Sequence, residues 1–247
     1  RDWSSDVCSS DLLADTAAAN SGGVAVDMTE WNRNDGFSPN SQLLTYVPNI
    51  DAGQSALPRW VDLDDSLDEQ ASVVIIDSES GERVPLFAEL DAKAVSDTDR
   101  ALVIRPAVVL EEGHHYIVAL RYLRDSTGEF IDASPAFRVY RDRLDVPEFE
   151  DRRPIMEQNF ATLEAAGIVR GELYLMWDFT VASTRNLSER MLSIRDHALA
   201  TLGNAAPAFS YTTTPGEADS GIAFQISGTY TVPNYLTGDG SPGNGFN

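Results

Sequence analysis

Cysteine is all but missing from this sequence: Cys8 is the only one in 247 residues. Cysteine spacing therefore gives no reading of disulfides or redox compartment. Lysine is just as scarce, since Lys93 stands alone and every other basic residue is arginine. The 18 Lys and Arg face 39 Asp and Glu, for a formal net charge of −21. Such a chain repels nucleic-acid phosphates and anionic membrane surfaces, which argues against nucleic-acid binding. The acidity reads as a solubility device, of the kind suited to a salty habitat, in preference to a dedicated cation-binding role. Long apolar runs are absent too. The longest, such as Ala107–Leu110 and Ile117–Leu120, are strand-sized and far from the ~20 residues of a membrane-spanning helix.

The first twelve residues, RDWSSDVCSSDL, stand apart. Asp2 through Leu12 match, residue for residue, the in-frame translation of a common sequencing adapter. Segment 1–12 is expected to be such an artefact, so Trp3 and Cys8 are set aside from fold reasoning. On that reading the native N-terminus is lost and a signal peptide is not readable. The far end, Thr237 to Asn247, reads as a Gly-rich loop in a cut reading frame. The chain is thus expected to be a fragment.

What is present is ordinary globular composition. Apolar residues make up 43%, enough for one large or two modest domains. Residues 13–60 look irregular, punctuated by Ser21-Gly22-Gly23, Asn34-Asp35-Gly36, Pro39, Pro48 and Pro58. Leu43, Leu44, Tyr46 and Val47 form a short strand candidate there. Residues 61–145 read as strands: Val73–Ile76, Val84–Leu90, Leu102–Ile104, Tyr116–Leu120 and Phe137–Tyr140. Turn signals such as Asp77–Gly81 and Asp125–Gly128 recur about every ten residues, the pattern of an antiparallel sandwich.

Residues 146–247 begin with a change of period. Met156, Phe160 and Leu163 recur at helical spacing, with Pro154 in the first turn and Gly167 at the end. Leu173, Leu175, Trp177, Phe179 and Val181 alternate strictly, which predicts a strand with one strongly buried face. Asn186 and Glu189 resemble a capping box for a helix whose Leu187, Met191, Ile194 and Ala198 share a face, closed by Gly203. Ile222, Phe224 and Ile226 then alternate as a strand, continued by Tyr230 and Val232.

No catalytic constellation is complete. A nucleophile elbow needs G-x-S-x-G; the nearest match, Asp239-Gly240-Ser241-Pro242-Gly243, has Asp first and Pro after the serine, and reads as a loop. The adjacent His114 and His115 should point to opposite faces of a strand, and His197 sits beside Asp196 on a helix, where neighbours do not meet. All three read as structural or surface histidines. The acidic run Asp62, Asp64, Asp65, Ser66, Asp68 fails the calcium-loop pattern, because Leu67 and Val73 fall where Gly and Glu belong. A solvated turn is the better reading, with a looser surface calcium site as the alternative. Asn186-Leu187-Ser188 fits a glycosylation sequon, but the cap accounts for Asn186 better. Catalytic, metal and cofactor-binding residues are therefore assigned as none, and no cofactor is expected.

Two stretches carry resemblances. The stretch from Ser72 to Phe137 resembles bacterial Ig-like domains, through VVIIDSESGERV, ALVIRPAVVLEEGHHYIVALRYLRDSTGEFI and the start of PAFRVY. Leu110, Gly113, Tyr116, Asp125 and Gly128 fall on that family's anchor positions. The resemblance implies that Tyr116 and Leu120 face a core and that Gly128 supplies a turn's positive φ. More widely, WNRNDGFSP, IMEQNFATLEAAGI, LYLMWDFTVAST and SGTYTVPNYL resemble the N-terminal regions of secreted bacterial lipase- or esterase-like proteins, in which an Ig-like region precedes an α/β-hydrolase domain. No catalytic residue of that family has a counterpart here.

The expected fold is mainly β with a helix–strand–helix insertion (α+β), an Ig-like antiparallel β-sandwich at 61–145 plus a connector at 146–247. The expected function is a non-catalytic accessory region of an exported hydrolase, extracellular or at the cell surface. Its partner would be the downstream α/β-hydrolase domain of the parent chain, with a lipid or ester, or a cell-surface polymer, as further candidates. Nucleic acid and a membrane span are not expected. A free-standing adhesion or glycan-binding module is the alternative, marked by an exposed aromatic row or a calcium site. A second is a hydrolase in which this region serves as a lid. Trp177, Tyr174 and Met176 suit packing better than contact, whereas exposure of Trp31, Phe37 and Trp60 would be more telling.

Overall fold

A computed structural model describes residues 13–14, 17–23, 25–29, 31–94, 100–217 and 220–241. The 1–12 segment with Trp3 and Cys8 lies outside these residues, as does 242–247. The described chain is mainly β, with three antiparallel sheets and a few helices. It divides into two compact units, Arg1–Leu187 and Ser188–Asn247.

The first unit is built on two three-stranded sheets. One orders β1 (Leu43–Tyr46), β4 (Ala101–Pro106) and β3 (Leu86–Leu90) as β1-β4-β3. The other orders β2 (Val73–Asp77), β5 (His115–Arg121) and β6 (Leu173–Thr180) as β2-β5-β6. Strands therefore come from well outside 61–145: β1 lies before it and β6 after it.

Side-chain parity explains why β2 and β5 are apolar at nearly every position. Val73, Ile75, Tyr116, Val118 and Leu120 share one cluster with Leu86, Leu102 and Ile104 of the other sheet. Val74, Ile76, Ile117 and Ala119 point the opposite way, into a second cluster with Phe137, Met156, Phe160 and Leu163. A strand engaged on both faces reads as a continuous apolar run. Each of these large side chains contributes about 1.5–3 kcal/mol by leaving water. Tyr116 and Leu120 are buried in the inter-sheet cluster, and Gly128 has φ 88° in its turn.

The second cluster is closed by helices α1 (Pro135–Arg141) and α2 (Arg153–Ala165). The strand expected at Phe137–Tyr140 is therefore helix α1. Ser134 caps it by accepting the Phe137 N–H at 3.2 Å, and Pro135 supplies the preset φ of a first helical turn. Helical spacing then brings both Phe137 and Tyr140 against the same cluster. Helix α2 buries Met156, Phe160 and Leu163 as their period predicts, and the chain turns out of it through Gly167 at φ 80°.

Strand β6 also departs from expectation, since its burial does not alternate strictly. Phe179 packs between the sheets, Met176 packs on the helix side, and Trp177 and Leu175 are half-buried. The pairing with β5 slips between Leu120↔Leu175 and Arg121↔Leu173. This bulge turns Leu173 to the helix side, away from the face its odd number would assign.

The N-terminal segment is fastened to the end of β6. Phe37 bridges Val181: its N–H donates to the Thr180 carbonyl at 2.9 Å, and Ala182 N–H donates to the Phe37 carbonyl at 2.8 Å. Asp35 accepts both the Ser183 N–H (3.1 Å) and its hydroxyl (2.6 Å). Ser183 in turn accepts the Asn186 N–H at 3.2 Å. The cap of this helical turn is thus Ser183, not Asn186. Asn186 sits three residues further in, and its side-chain amide donates to the Arg33 carbonyl. WNRNDGFSP and TVAST, two segments of the wider resemblance, meet in this joint.

Gly36 allows the approach, since a Cβ there would lie 2.5 Å from Ala182 N and 2.7 Å from Thr180 O. Gly36→Ala should release the segment while leaving the two clusters intact. Hydrogen exchange is expected to accelerate at the Phe37 and Ala182 amides and stay unchanged at Ile75 and Val118. Equal protection at Phe37 in both proteins would contradict this.

The second unit holds α3 (Arg190–Leu202) and a ribbon of β7 (Phe209–Pro215) and β8 (Phe224–Tyr230). Gly203 ends α3 at φ 58°, as its sequence position predicts. None of the residues of α3 is buried. The shared face expected of Leu187, Met191, Ile194 and Ala198 is accordingly uncovered, with Leu187 and Met191 exposed and Ile194 and Ala198 half-exposed.

Candidate docking surface

Phe, Tyr, Thr and Ile dominate 209–230, and such residues favour extended backbone. Gly216 and Gly221 flank the connection between the two strands. The register pairs Phe209↔Tyr230, Tyr211↔Gly228, Thr213↔Ile226 and Pro215↔Phe224. All eight of these residues lie on one face, because alternate residues of a strand share a side. The other face carries Ser210, Thr212, Thr214, Gln225, Ser227 and Thr229. One side of the ribbon is therefore apolar and the other is hydroxyl-rich.

Nothing among the described residues buries the apolar side. Phe209 is 65% exposed, Tyr211 61%, Phe224 64%, Ile226 67% and Tyr230 71%. The four rings leave roughly 500 Å² in water, taking ~150–250 Å² as the area of each. The largest patch on an ordinary monomer is ~300–600 Å², and Ile226 adds to this one. An isolated two-stranded ribbon is marginal in water and gains independent stability from a third strand or a packed face. The patch is also uncharged, since no Asp, Glu, Lys or Arg occurs in 198–216 or 220–238. In a chain of net charge −21 this is a surface where a neighbour meets little local repulsion.

The aromatics singled out in the N-terminal segment are exposed as well: Trp31 52%, Phe37 63% and Trp60 72%. They belong to the first unit. Met176 is buried, and Tyr174 and Trp177 are half-buried against the inter-sheet cluster.

The histidines all have partners. His114 Nδ1 lies 2.8 Å from Asp77 Oδ2, at the end of β2. That hydrogen bond holds the imidazole above the usual histidine range, against the opposing effect of burial. His115 turns to the other neighbour, with Nε2 3.2 Å from Asp178 Oδ2 and Nδ1 3.1 Å from Thr180 Oγ1. Burial raises the Asp178 pKa, but the hydrogen bond from His115, with the contributions of Arg152 and Asn159, leaves the carboxyl below its usual range. His197 Nδ1 meets the Tyr235 hydroxyl at 2.9 Å. The two adjacent rings thus have separate partners, on β2 and β6.

The acidic run forms a 3-10 turn, Leu63–Leu67, tied down by Ser66. No group of three or more His, Cys, Asp or Glu among the described residues is placed to hold a metal ion. Ser241 donates its N–H and hydroxyl to Asp239, a local turn. No helix among the described residues is long and apolar enough to cross a membrane.

Fold and surface together define a mainly β, antiparallel protein carrying an uncharged apolar ribbon. No family model, curated protein or solved structure matches the chain.

Proposed function

We propose that this chain is a non-catalytic accessory region of an exported lipase- or esterase-like hydrolase, and that the apolar face of the ribbon seats the hydrolase domain. The uncovered, uncharged row of Phe209, Tyr211, Phe224, Ile226 and Tyr230 carries this reading. A face of this size and neutrality suits a protein surface of matching chemistry. The resemblance of WNRNDGFSP, LYLMWDFTVAST and SGTYTVPNYL to hydrolase N-terminal regions supplies the candidate partner. The two facing sheets are read as Ig-like, supported by Tyr116 in their shared core and by the turns at Gly113 and Gly128. The helix layer on the outer side of β2-β5-β6 is an addition to that plan.

The purified chain should not turn over a short-chain acyl ester such as p-nitrophenyl butyrate. Clear turnover would overturn the accessory reading. The exposed aromatic row also favours a second reading, a glycan-binding module. Retarded migration in a gel containing a soluble glucan, abolished by Tyr211→Ala with Tyr230→Ala, would replace the first reading with the second.

A further inference from the structure

Among the described residues, the ribbon's edges as well as its apolar face are uncovered. Thr231 N–H donates to the Ala208 carbonyl and Gly216 N–H to the Ala223 carbonyl, on the same register as the strand pairs. Hydrogen-bonded pairs alternate along an antiparallel ladder. The bonded pairs inside the ribbon are therefore Ser210/Thr229, Thr212/Ser227 and Thr214/Gln225. The backbone N–H and C=O groups of the apolar-face residues point outward, from both edges. Among the described residues no backbone hydrogen bond occupies the outer edge of β8.

The two edges are not equivalent. Pro215 removes one outward N–H from β7, so that edge is blunted. On β8 the outward groups of Phe224, Ile226, Gly228 and Tyr230 are all intact. Natural edge strands are guarded by charges, prolines, bulges or a covering element. Strand β8 has no charge and no proline, and its pairing with β7 is regular throughout.

We propose that β8 pairs antiparallel with β8 of a second copy of this chain, giving a four-stranded sheet β7-β8-β8-β7. A two-fold axis beside Ser227 overlaps the whole strand. It places Phe224 beside Tyr230 of the second copy and Ile226 beside Gly228 of the second copy. The first is an aromatic cross-strand pair. The second sets a bulky side chain over the space that glycine leaves. Gln225 and Thr229 meet on the polar side. An antiparallel strand paired with itself is self-complementary by symmetry. Identical copies present identical charges, so a contact between two chains of −21 needs an uncharged seam, and β8 provides one. The pairing uses the edge and leaves the apolar face available, so it stands apart from the accessory reading.

Sedimentation equilibrium of the 247-residue protein tests this. A reversible dimer is expected at micromolar concentration, tightening as NaCl screens the repulsion between the two acidic chains. Ile226→Pro deletes an outward N–H and leaves the ribbon's internal bonds in place. It should weaken the dimer by on the order of tenfold or more, as one bond is lost from each copy. Thr213→Pro makes the same change on the outer edge of β7 and should leave the dimer intact. Hydrogen exchange should show protection of the Ile226 and Gly228 amides that rises with concentration, with none added at Tyr211 and Thr213. A monomer at every concentration and salt level overturns the proposal. So does a dimer indifferent to Ile226→Pro, which would place the contact on the face, or one lost equally in both variants.

Discussion

Arg121→Ala should destabilise the first unit by about 3–5 kcal/mol, the combined loss of charge-assisted hydrogen bonds to two carbonyls and of a buried side chain's packing. Arg121 is only 1% exposed although it ends a strand. Its Nε donates to the Ala71 carbonyl at 2.9 Å, and its Nη2 donates to the Glu69 carbonyl. Its Nη1 lies 3.5 Å from Glu172, just before β6. One side chain thus ties the approach to β2 to β5 and to the start of β6. Truncation would leave two carbonyls without their donor and open a cavity the size of a guanidinium. Whole-domain stabilities are of order 5–15 kcal/mol, so the loss would be a large share. Lysine should not rescue it, because a single ammonium cannot reach three acceptors spread around a planar fork. Urea unfolding of the full chain is the measurement. A midpoint unchanged from the parent protein would mean that water serves the carbonyls equally well.

Phe160→Ala should cost about 3–5 kcal/mol, and its effect should be local to the helix layer. The ring is 1% exposed and lies 6.1 Å from that of Phe137, joining α2 to α1. The Arg170 guanidinium sits 3.8 Å from its centroid. That guanidinium also donates to the Tyr140 and Arg141 carbonyls and pairs with Glu157. Removing the ring therefore loses apolar burial and uncovers a cation that orders the end of α1. Exchange should speed up first in α1 and α2, while β1, β3 and β4 keep their protection. Uniform acceleration across both sheets would show that the helix layer and the inter-sheet core open together. Phe160→Leu should recover much of the loss, because it refills most of the volume.

The strands most readily anticipated were the β-branched, continuous runs. Val73–Ile76 and Tyr116–Leu120 needed no long-range information, because burial on both faces imposes apolarity at each position. Phe137–Tyr140 misled because short helices and short strands both tolerate F-x-V-Y; the decisive signal, Ser134 followed by Pro135, lay just upstream. The bulge in β6 has no local signature, since it reflects the pairing of Arg121 with Leu173 across more than fifty residues. Ser183 as a cap was hidden for a similar reason: its role is set with Asp35, far away in sequence. The docking surface was half legible. The alternation Ile222, Phe224, Ile226 was visible, but β7 is broken up by three threonines and ends in Pro215. Its partnership with Tyr230 and Gly228 emerges only from the register. Of the residues considered for chemistry, the histidines proved to be tied to carboxylates or a tyrosine, and the aromatic row emerged in the other unit.

The ribbon also bears on colloidal behaviour. Mutual repulsion keeps copies of this chain apart at neutral pH, and that repulsion fades as carboxylates protonate toward the isoelectric point near 4.3. Neither strand of the ribbon carries a carboxylate, so its stickiness stays constant on acidification while the force opposing it disappears. Acidification then acts on the whole molecule as a solvent-quality switch, with one fixed adhesive strip setting where growth begins.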